Sequence, residues 1–343
     1  MAPRKDNIRD ERGVAIMYVA IFLLSSLWLV SLAIDMGKLT VTKNELQRAA
    51  DAAALAGASK IDPTTGNIVQ DSARVRATYV AGLNTALQET SEPVTIDPAT
   101  DVTFPTLNKV KVTVHRDSST GNAMTTIFAR TLGITSLNMN AFAVAEVQPT
   151  DQPCEGVSPF GVADRPGGFN TACGSKDTLK LSQGPKQGNF QLLDFPACTE
   201  GPCANQNGIN AQLTCYIETG YSCCIKIGDQ LTYTEPGNKV GIIKPALLDR
   251  WNSDTDTRSG ICYQQYTGNG ERVLICPLVQ TFDVNGKSVI NITGLAAFFL
   301  LNKPGQGGPA NFAVGQFINY VIPGTSDDQP PANSKLFTLR LVE

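Results

Sequence analysis

A chain of 343 residues with a formal net charge of −3 has room for two folded domains beyond a membrane anchor, and it lacks the strongly basic field of a nucleic-acid-binding protein. Hydrophobic residues make up 42% and charged residues 17%, which excludes an intrinsically disordered chain; no run interleaves aromatic with basic residues, which argues against single-strand binding. The nine cysteines all fall between Cys154 and Cys276, and the chain has one histidine, so disulfides in an oxidising compartment are expected and histidine-dependent catalysis is narrowly constrained.

Residues 1–13 form a short tail carrying Arg4, Lys5, Arg9 and Arg12. Val14 to Ile34 then reads VAIMYVAIFLLSSLWLVSLAI, without a single charge or histidine. As a helix this run spans ~30 Å, the thickness of a bilayer's hydrocarbon core. Only Lys38 and Lys43 follow closely, so the basic excess places the N-terminus in the cytoplasm and the remainder outside. A cleaved secretory signal is the rival reading, with Ser31-Leu32-Ala33 as a small-residue cleavage site. The apolar run is longer than the usual ~7–15 residue signal core, which favours a retained anchor. Both readings export the rest of the chain.

Asp35-Met36-Gly37 closes the apolar run, and helix-forming residues resume at Lys38 and continue to about Ser59, with Asp62-Pro63 as the stop and Gly37 as a place to bend. Ala49, Ala53 and Gly57, with Ala50 and Ala54, recur at four-residue spacing. Such a face lets another helix approach closely, or it simply fills an ordinary helix. Residues 70–88 are expected to form an amphipathic helix capped by Asp71 or Ser72, with Val75, Tyr79, Leu83 and Leu87 on one face. Val110, Val112 and Val114 alternate with polar neighbours as in a strand, residues 123–132 read as a helix ending at Gly133, and residues 137–147 alternate again. The fold class expected is α+β, with a small membrane-proximal α+β domain over residues 35–148.

Three parts of this stretch resemble a known module. Arg12-Gly13 precedes the apolar run; Ala33-Ile34-Asp35-Met36-Gly37 ends it; Leu46-Gln47-Arg48-Ala49-Ala50-Asp51-Ala52-Ala53-Ala54-Leu55-Ala56-Gly57-Ala58 follows. This order is similar to the N-terminal module of TadG-like and TadE-like proteins of the bacterial Tad (Flp, type IVc) pilus-assembly machinery. The resemblance covers residues 12–60 and continues more weakly to about 148, through Phe128-Ala129-Arg130-Thr131-Leu132-Gly133-Ile134 and Ala141 to Ala145. Its motif positions here are Gly13, Asp35, Gly37, Leu46, Gln47 and Asp51. Processed pilins and pseudopilins of the machinery carry a glutamate five residues after the cleavage glycine; Tyr18 stands there in this chain, which favours the anchored TadG-like branch. Many TadG-like proteins also contain a von Willebrand A domain, but no D-x-S-x-S metal sequence is present, and Asp117-Ser118-Ser119 does not fit one.

Gln148 to Pro153 reads as a linker over 149–153, and residues 154–343 as a mostly-β domain, barrel or sandwich, with a lone helix at 245–251. Candidate strands are 178–181, 190–194, 223–227, 273–276, 288–295 and 312–321. Gly268-Asn269-Gly270 is a turn signal, and Cys262 and Cys276 are equidistant from Asn269, so a hairpin there would bridge them. Cys198 with Cys203, and Cys154 with Cys173, are the other expected pairs; adjacent Cys223 and Cys224 need different partners, Cys215 being one choice. The odd count leaves at least one thiol free or paired to another chain. Zinc is disfavoured because no C-x-x-C occurs and His115 lies far upstream.

No catalytic constellation is legible. His115-Arg116-Asp117 lacks the companion motifs of a kinase, no neighbouring serine is marked as a nucleophile, and Arg258 stands where a calcium loop from Asp254 would need an oxygen ligand. The expectation is a non-enzymatic assembly or structural component, without cofactor. The resemblance implies inner-membrane anchorage, a periplasmic bulk and contacts with other Tad/Flp components; a homo-oligomer is a possible further partner, and the charge balance gives no expectation of nucleic acid. A surface adhesin or ligand-binding protein is the alternative; a membrane-tethered hydrolase is the third.

Overall fold

One helix, α1 (Ile8–Ala58), runs unbroken for 51 residues, passing through Gly37 as helix. It belongs to a computed structural model that describes residues 8–86, 92–119, 121–165, 167–181, 189–228, 232–305, 311–326 and 334–342. Among the described residues α1 alone is long and apolar enough to cross a membrane. Its apolar run has almost no protein cover: Ile16, Phe22 and Leu29 are 71%, 70% and 70% exposed. That exposure is unfavourable in water and natural in hydrocarbon. Beyond Ser31 a buried stripe begins, through Asp35, Thr42, Leu46, Ala49, Ala50, Ala53, Ala54 and Ala58, spaced as one face of a helix.

That stripe rests on the first core. Helix α2 (Gln70–Gly82) packs against α1 through Ala73, Ala77 and Ala81, all fully buried. The strands are the short pair β1 (Thr85–Ala86) and β2 (Glu92–Pro93), then β3 (Val102–Thr106), β4 (Lys109–Arg116), the short pair β5 (Met124–Thr125) and β6 (Ser136–Leu137), and β7 (Met139–Pro149). β4 and β7 pair antiparallel, with Val110 opposite Ala145 and Val114 opposite Ala141. Val110, Val112 and Val114 turn their branched side chains onto the alanines of both helices.

Two sequence expectations change here. The expected helix 123–132 is instead the β5 strand followed by a single 3-10 turn, Ala129–Leu132, because Met124-Thr125 pairs with Ser136-Leu137. The expected apolar face of α2 points outward: Val75, Tyr79 and Leu83 are 72%, 58% and 65% exposed, while the alanine face is buried. Leu87 lies outside the described residues, and α2 has no side-chain cap at Val69.

The second core begins as β7 ends. The expected linker is built into sheet: β8 (Gln152–Pro153) pairs with β18 (Gly324–Thr325). Further elements are β9 (Val162–Ala163), β10 (Asp177–Leu181), β11 (Asn189–Asp194), α3 (Ile209–Glu218), β12 (Thr232–Pro236), α4 (Val240–Ser253), β13 (Val273–Val279), β14 (Val289–Ile290), β15 (Ile292–Leu300), β16 (Asn311–Ile318), β17 (Tyr320–Val321) and β19 (Leu336–Leu341). A five-stranded sheet, in the order β10-β16-β15-β13-β9, is buried on both faces. On β13, and on β15 from Leu295, odd-numbered residues such as Ile275 and Ala297 face a core shared with Ile290 and the disulfide segment, and even-numbered ones such as Leu274 and Phe298 face α4 through Ile243, Leu247 and Trp251. The whole is α+β, with a β-rich, four-disulfide distal part. Helix α3 was not expected, α4 is longer than the expected 245–251, and residues 223–227 are not a strand.

The cysteine pairs are Cys154–Cys224, Cys173–Cys262, Cys198–Cys223 and Cys203–Cys215, with Cys276 free and buried. The expected Cys262–Cys276 bridge does not form, because both edges of β13 are occupied, by β15 and by β9, leaving no room for a 262–276 hairpin. The expected Cys154–Cys173 pair is replaced because residues 153–157 lie antiparallel to 221–225: Tyr221 N–H donates to Val157 O at 2.8 Å and Ile225 N–H to Pro153 O at 3.0 Å, which sets Cys154 opposite Cys224. The expected Cys198–Cys203 bridge gives way to bridges from Cys198 to Cys223 and from Cys203 to Cys215 on α3.

The two cores are clamped together. β19 returns to the first sheet, giving the order β17-β19-β7-β4-β3. Asn319 Nδ2 donates to Pro63 O at 3.1 Å and Thr64 O at 2.8 Å, and Thr171 Oγ1 donates to Thr64 O at 2.8 Å. Gly66, at φ 78°, lies under the Phe337 ring, where a Cβ would come within 2.9 Å of the ring edge.

Candidate functional site

The place where α1 leaves its apolar run is the most organised point of the first module. Asp35 is 5% exposed, and its carboxylate accepts three backbone N–H groups: from Ile127 at 3.0 Å, Phe128 at 3.0 Å and Ala129 at 2.7 Å. These amides open the 3-10 turn Ala129–Leu132, so a helix residue caps a turn 92 or more positions away. The Ala129 and Ile127 amides hold the carboxyl below its ordinary value, with burial acting against them.

Further along α1, Gln47 Nε2 donates to Asp51 Oδ1 at 2.8 Å and to Phe142 O on β7 at 2.9 Å. Lys43 Nζ donates to Asn140 O on the same strand. Leu46 is fully buried between these contacts. Gln47, with Asp51 orienting it and Leu46 buried beside it, fixes α1 to β7, while Asp35 fixes α1 to the 3-10 turn; the four lie along one helix and do not converge on a single point. Gly13 and Gly37 are not part of this: a Cβ at either would meet nothing within 4 Å. The structure explains neither glycine.

The small-residue face is internal. A Cβ on Gly57 would sit 3.4 Å from both Ala73 O and Ala77 Cβ. Ala49, Ala50, Ala53 and Ala54 are 0% exposed in the same core. The close-approaching helix that the spacing anticipated is thus α2 of the same chain, and a partner's helix cannot use this face while α2 occupies it. What the module leaves open is the outer side of α2. Val75, Tyr79 and Leu83 form an exposed apolar row, with Arg76 5.5 Å from the Tyr79 ring centre, beside a shallow groove of about 580 Å³ reaching Lys60 and Asp71.

The chemistry-bearing residues elsewhere are engaged structurally. His115 lies 3.7 Å from both Asp101 and Asp117, and Ser119 Oγ donates to Asp117 Oδ1 at 2.5 Å rather than toward the imidazole. Asp256 accepts from Arg258 at 2.6 and 2.9 Å, and that guanidinium holds its carboxyl far below the usual range. Among the described residues no group of three or more His, Cys, Asp or Glu is placed to hold a metal ion.

Two arginines that sequence reasoning passed over organise the distal domain. Arg272 is fully buried, 4.0 Å from the Trp251 ring centre and 4.5 Å from that of Phe299, and donates to Leu300, Leu301, Asp256 and Arg258 carbonyls. Arg250 binds the carbonyls of Ile217 and Val273 at 3.0 and 2.8 Å, joining α3 to β13. A lone arginine heading the apolar run Val273-Leu274-Ile275 was the available signal.

Comparison with curated proteins and with solved structures gives no match. Residues 13–60, which span the apolar run, Asp35 and the small-residue stripe, match the family model Tad, described as "Putative Flp pilus-assembly TadE/G-like", so this segment of the chain is similar to that family.

Proposed function

We propose that this chain is a membrane-anchored, non-enzymatic assembly or structural component of a Tad (Flp, type IVc) pilus system. The observation that carries the reading is the coincidence of the TadE/G-like segment with a complete working part: within 13–60 lie the membrane-crossing run, the Asp35 boundary and the helix face that founds the first core. The N-terminus is cytoplasmic and both cores are periplasmic in a bacterial inner membrane. The basic residues preceding the apolar run support that orientation, and four disulfides accord with an oxidising compartment.

The mechanism is display and contact. The clamps between Pro63–Thr64 and Asn319 make anchor and distal domain move as one body, so the anchor fixes where the β-rich surface stands. The Val75, Tyr79 and Leu83 row is the contact surface for another pilus component or a second copy, since a contiguous exposed apolar row marks interaction. The test is deletion of the gene, imaging of pili, and complementation with the parent chain and a Val75→Glu, Tyr79→Glu double variant. Deletion should remove or shorten pili, the parent should restore them, and the double variant, though membrane-inserted and folded, should not. Normal pilus number and length in the deletion strain would overturn the proposal.

A further inference from the structure

Residues 126–135 form the loop that joins β5 to β6, and much of its backbone is paired within the protein. Thr126 N–H donates to Thr135 O at 3.2 Å, Ile134 N–H to Ala129 O at 3.1 Å, Gly133 N–H to Arg130 O at 3.0 Å and Thr131 N–H to Phe128 O at 3.0 Å. Asp35 takes the amides of Ile127, Phe128 and Ala129. The Thr126 and Thr131 hydroxyls donate to Ile134 O and Phe128 O. An unpaired backbone group is costly in hydrocarbon, and these bonds satisfy the amides they engage.

The side chains this backbone presents are apolar and unpacked. Ile127 is 49%, Leu132 63% and Ile134 45% exposed. Phe128, Leu132 and Ile134 form one wall of an open groove of about 940 Å³ whose other wall is α1, through Leu24, Trp28 and Leu32. Asp35 marks the end of the apolar run, and Leu24 lies eleven residues before it, ~16 Å farther along the helix axis. A loop that shares a groove with Leu24 to Leu32 therefore lies on the membrane side of Asp35. Its one charge, Arg130, is exposed and can reach lipid phosphates on its long stem.

We propose that residues 126–135 are a membrane-inserted wedge, seated in the leaflet on the side of the folded domains, with lipid acyl chains filling the groove between the loop and α1. The occupant is lipid because the groove is continuous with the membrane-crossing face and both walls are predominantly apolar, with Ser25, Ser31 and Thr131 the only hydroxyl side chains lining it. The proposal rests on the reading of α1 as the membrane anchor. By clamping the 3-10 turn, Asp35 then ties the wedge to the anchor and fixes the depth and tilt at which the domains sit.

The test uses the full chain in phosphatidylcholine vesicles with and without bromine-labelled acyl chains, which quench indoles they touch. The native tryptophans are Trp28, in the apolar run, and Trp251, buried in the distal domain. Trp28→Phe sets the baseline from Trp251, and Trp28→Phe combined with Leu132→Trp places an indole at an exposed loop position. Bromolipid should quench the loop indole by a fraction comparable to that of native Trp28, with a blue-shifted emission. Quenching of Trp28 but not of the loop indole would overturn the wedge and leave the anchor reading standing. Loss of quenching at both would remove the anchor reading with it. An unquenched loop indole in a chain that crosslinks as a dimer would assign the groove to a second copy and equally overturn the proposal.

Discussion

Replacing Gly57 with leucine probes whether the small-residue stripe is an internal packing surface. A Cβ there would lie 3.4 Å from Ala73 O, 3.4 Å from Ala77 Cβ and 3.6 Å from a Val110 methyl. One carbon fits in contact, and the helix-propensity gain of ~1 kcal/mol over glycine offsets the tightness, so Gly57→Ala should stay within about 1 kcal/mol of the parent. Leucine adds an isopropyl group beyond that contact, against a backbone oxygen that cannot rotate away and alanines that are already 0% exposed. Overpacking of this kind costs ~1–3 kcal/mol. At the midpoint, ~2 kcal/mol, a chain of 343 residues unfolding as one unit loses about 3 °C in Tm. Thermal unfolding of the full chain in detergent, followed by circular dichroism, measures it. Gly37→Leu is the control, since nothing lies within 4 Å of that Cβ, and its Tm should hold. Gly57→Leu melting with the parent, or Gly37→Leu falling equally far, would refute an internal role for the stripe.

Three further expectations concern the sulfurs, the boundary carboxylate and the buried arginine. Mass mapping of the unreduced protein should return the four bridges of the structure; Cys276, whose thiol burial pushes up to about 12, should resist alkylation at pH 8 until the chain is unfolded. Because the folded pKa of Asp35 lies below its ordinary 3.8, its stabilising contribution is complete above that value and is lost as pH falls through the lower, folded one. Asp35→Asn should flatten this acid limb and speed hydrogen exchange at the amides of residues 127–129; unchanged exchange would remove the capping role. Arg272→Met keeps the stem but strands the carbonyls of Leu300, Leu301, Asp256 and Arg258, and urea unfolding should show a loss of ~3–5 kcal/mol. A loss under about 1 kcal/mol would show that those carbonyls find other donors.

The anchor and the strands around Val112 were legible because local pattern and tertiary role coincide there: an uncharged run for lipid, alternate valines for a one-sided sheet. Helix α2 reversed its expected face because the larger side chains are not the ones that fit; against Gly57 and Val110 only alanine does, so Val75 and Tyr79 are turned outward. Asp35 was visible as a motif residue, but its partners stand more than ninety positions away, beyond any spacing rule. The Cys262–Cys276 expectation took a strong turn signal for a hairpin. Asp254, Asp256, Arg258 and Arg272 instead bind one another and the intervening backbone, while β13 pairs with β15. The register that pairs Cys154 with Cys224 arises from backbone hydrogen bonds that join distant segments, and cysteine spacing carries no trace of it.

We propose that a single crossing leaves both cores on the exported side. A periplasm-active phosphatase and a cytosol-fluorescent protein, each fused after Val342 and expressed in a Gram-negative host, test it most directly. An exported C-terminus gives phosphatase activity, no fluorescence and a membrane-bound chain with four bridges. A fluorescent, phosphatase-inactive fusion with reduced cysteines would contradict it.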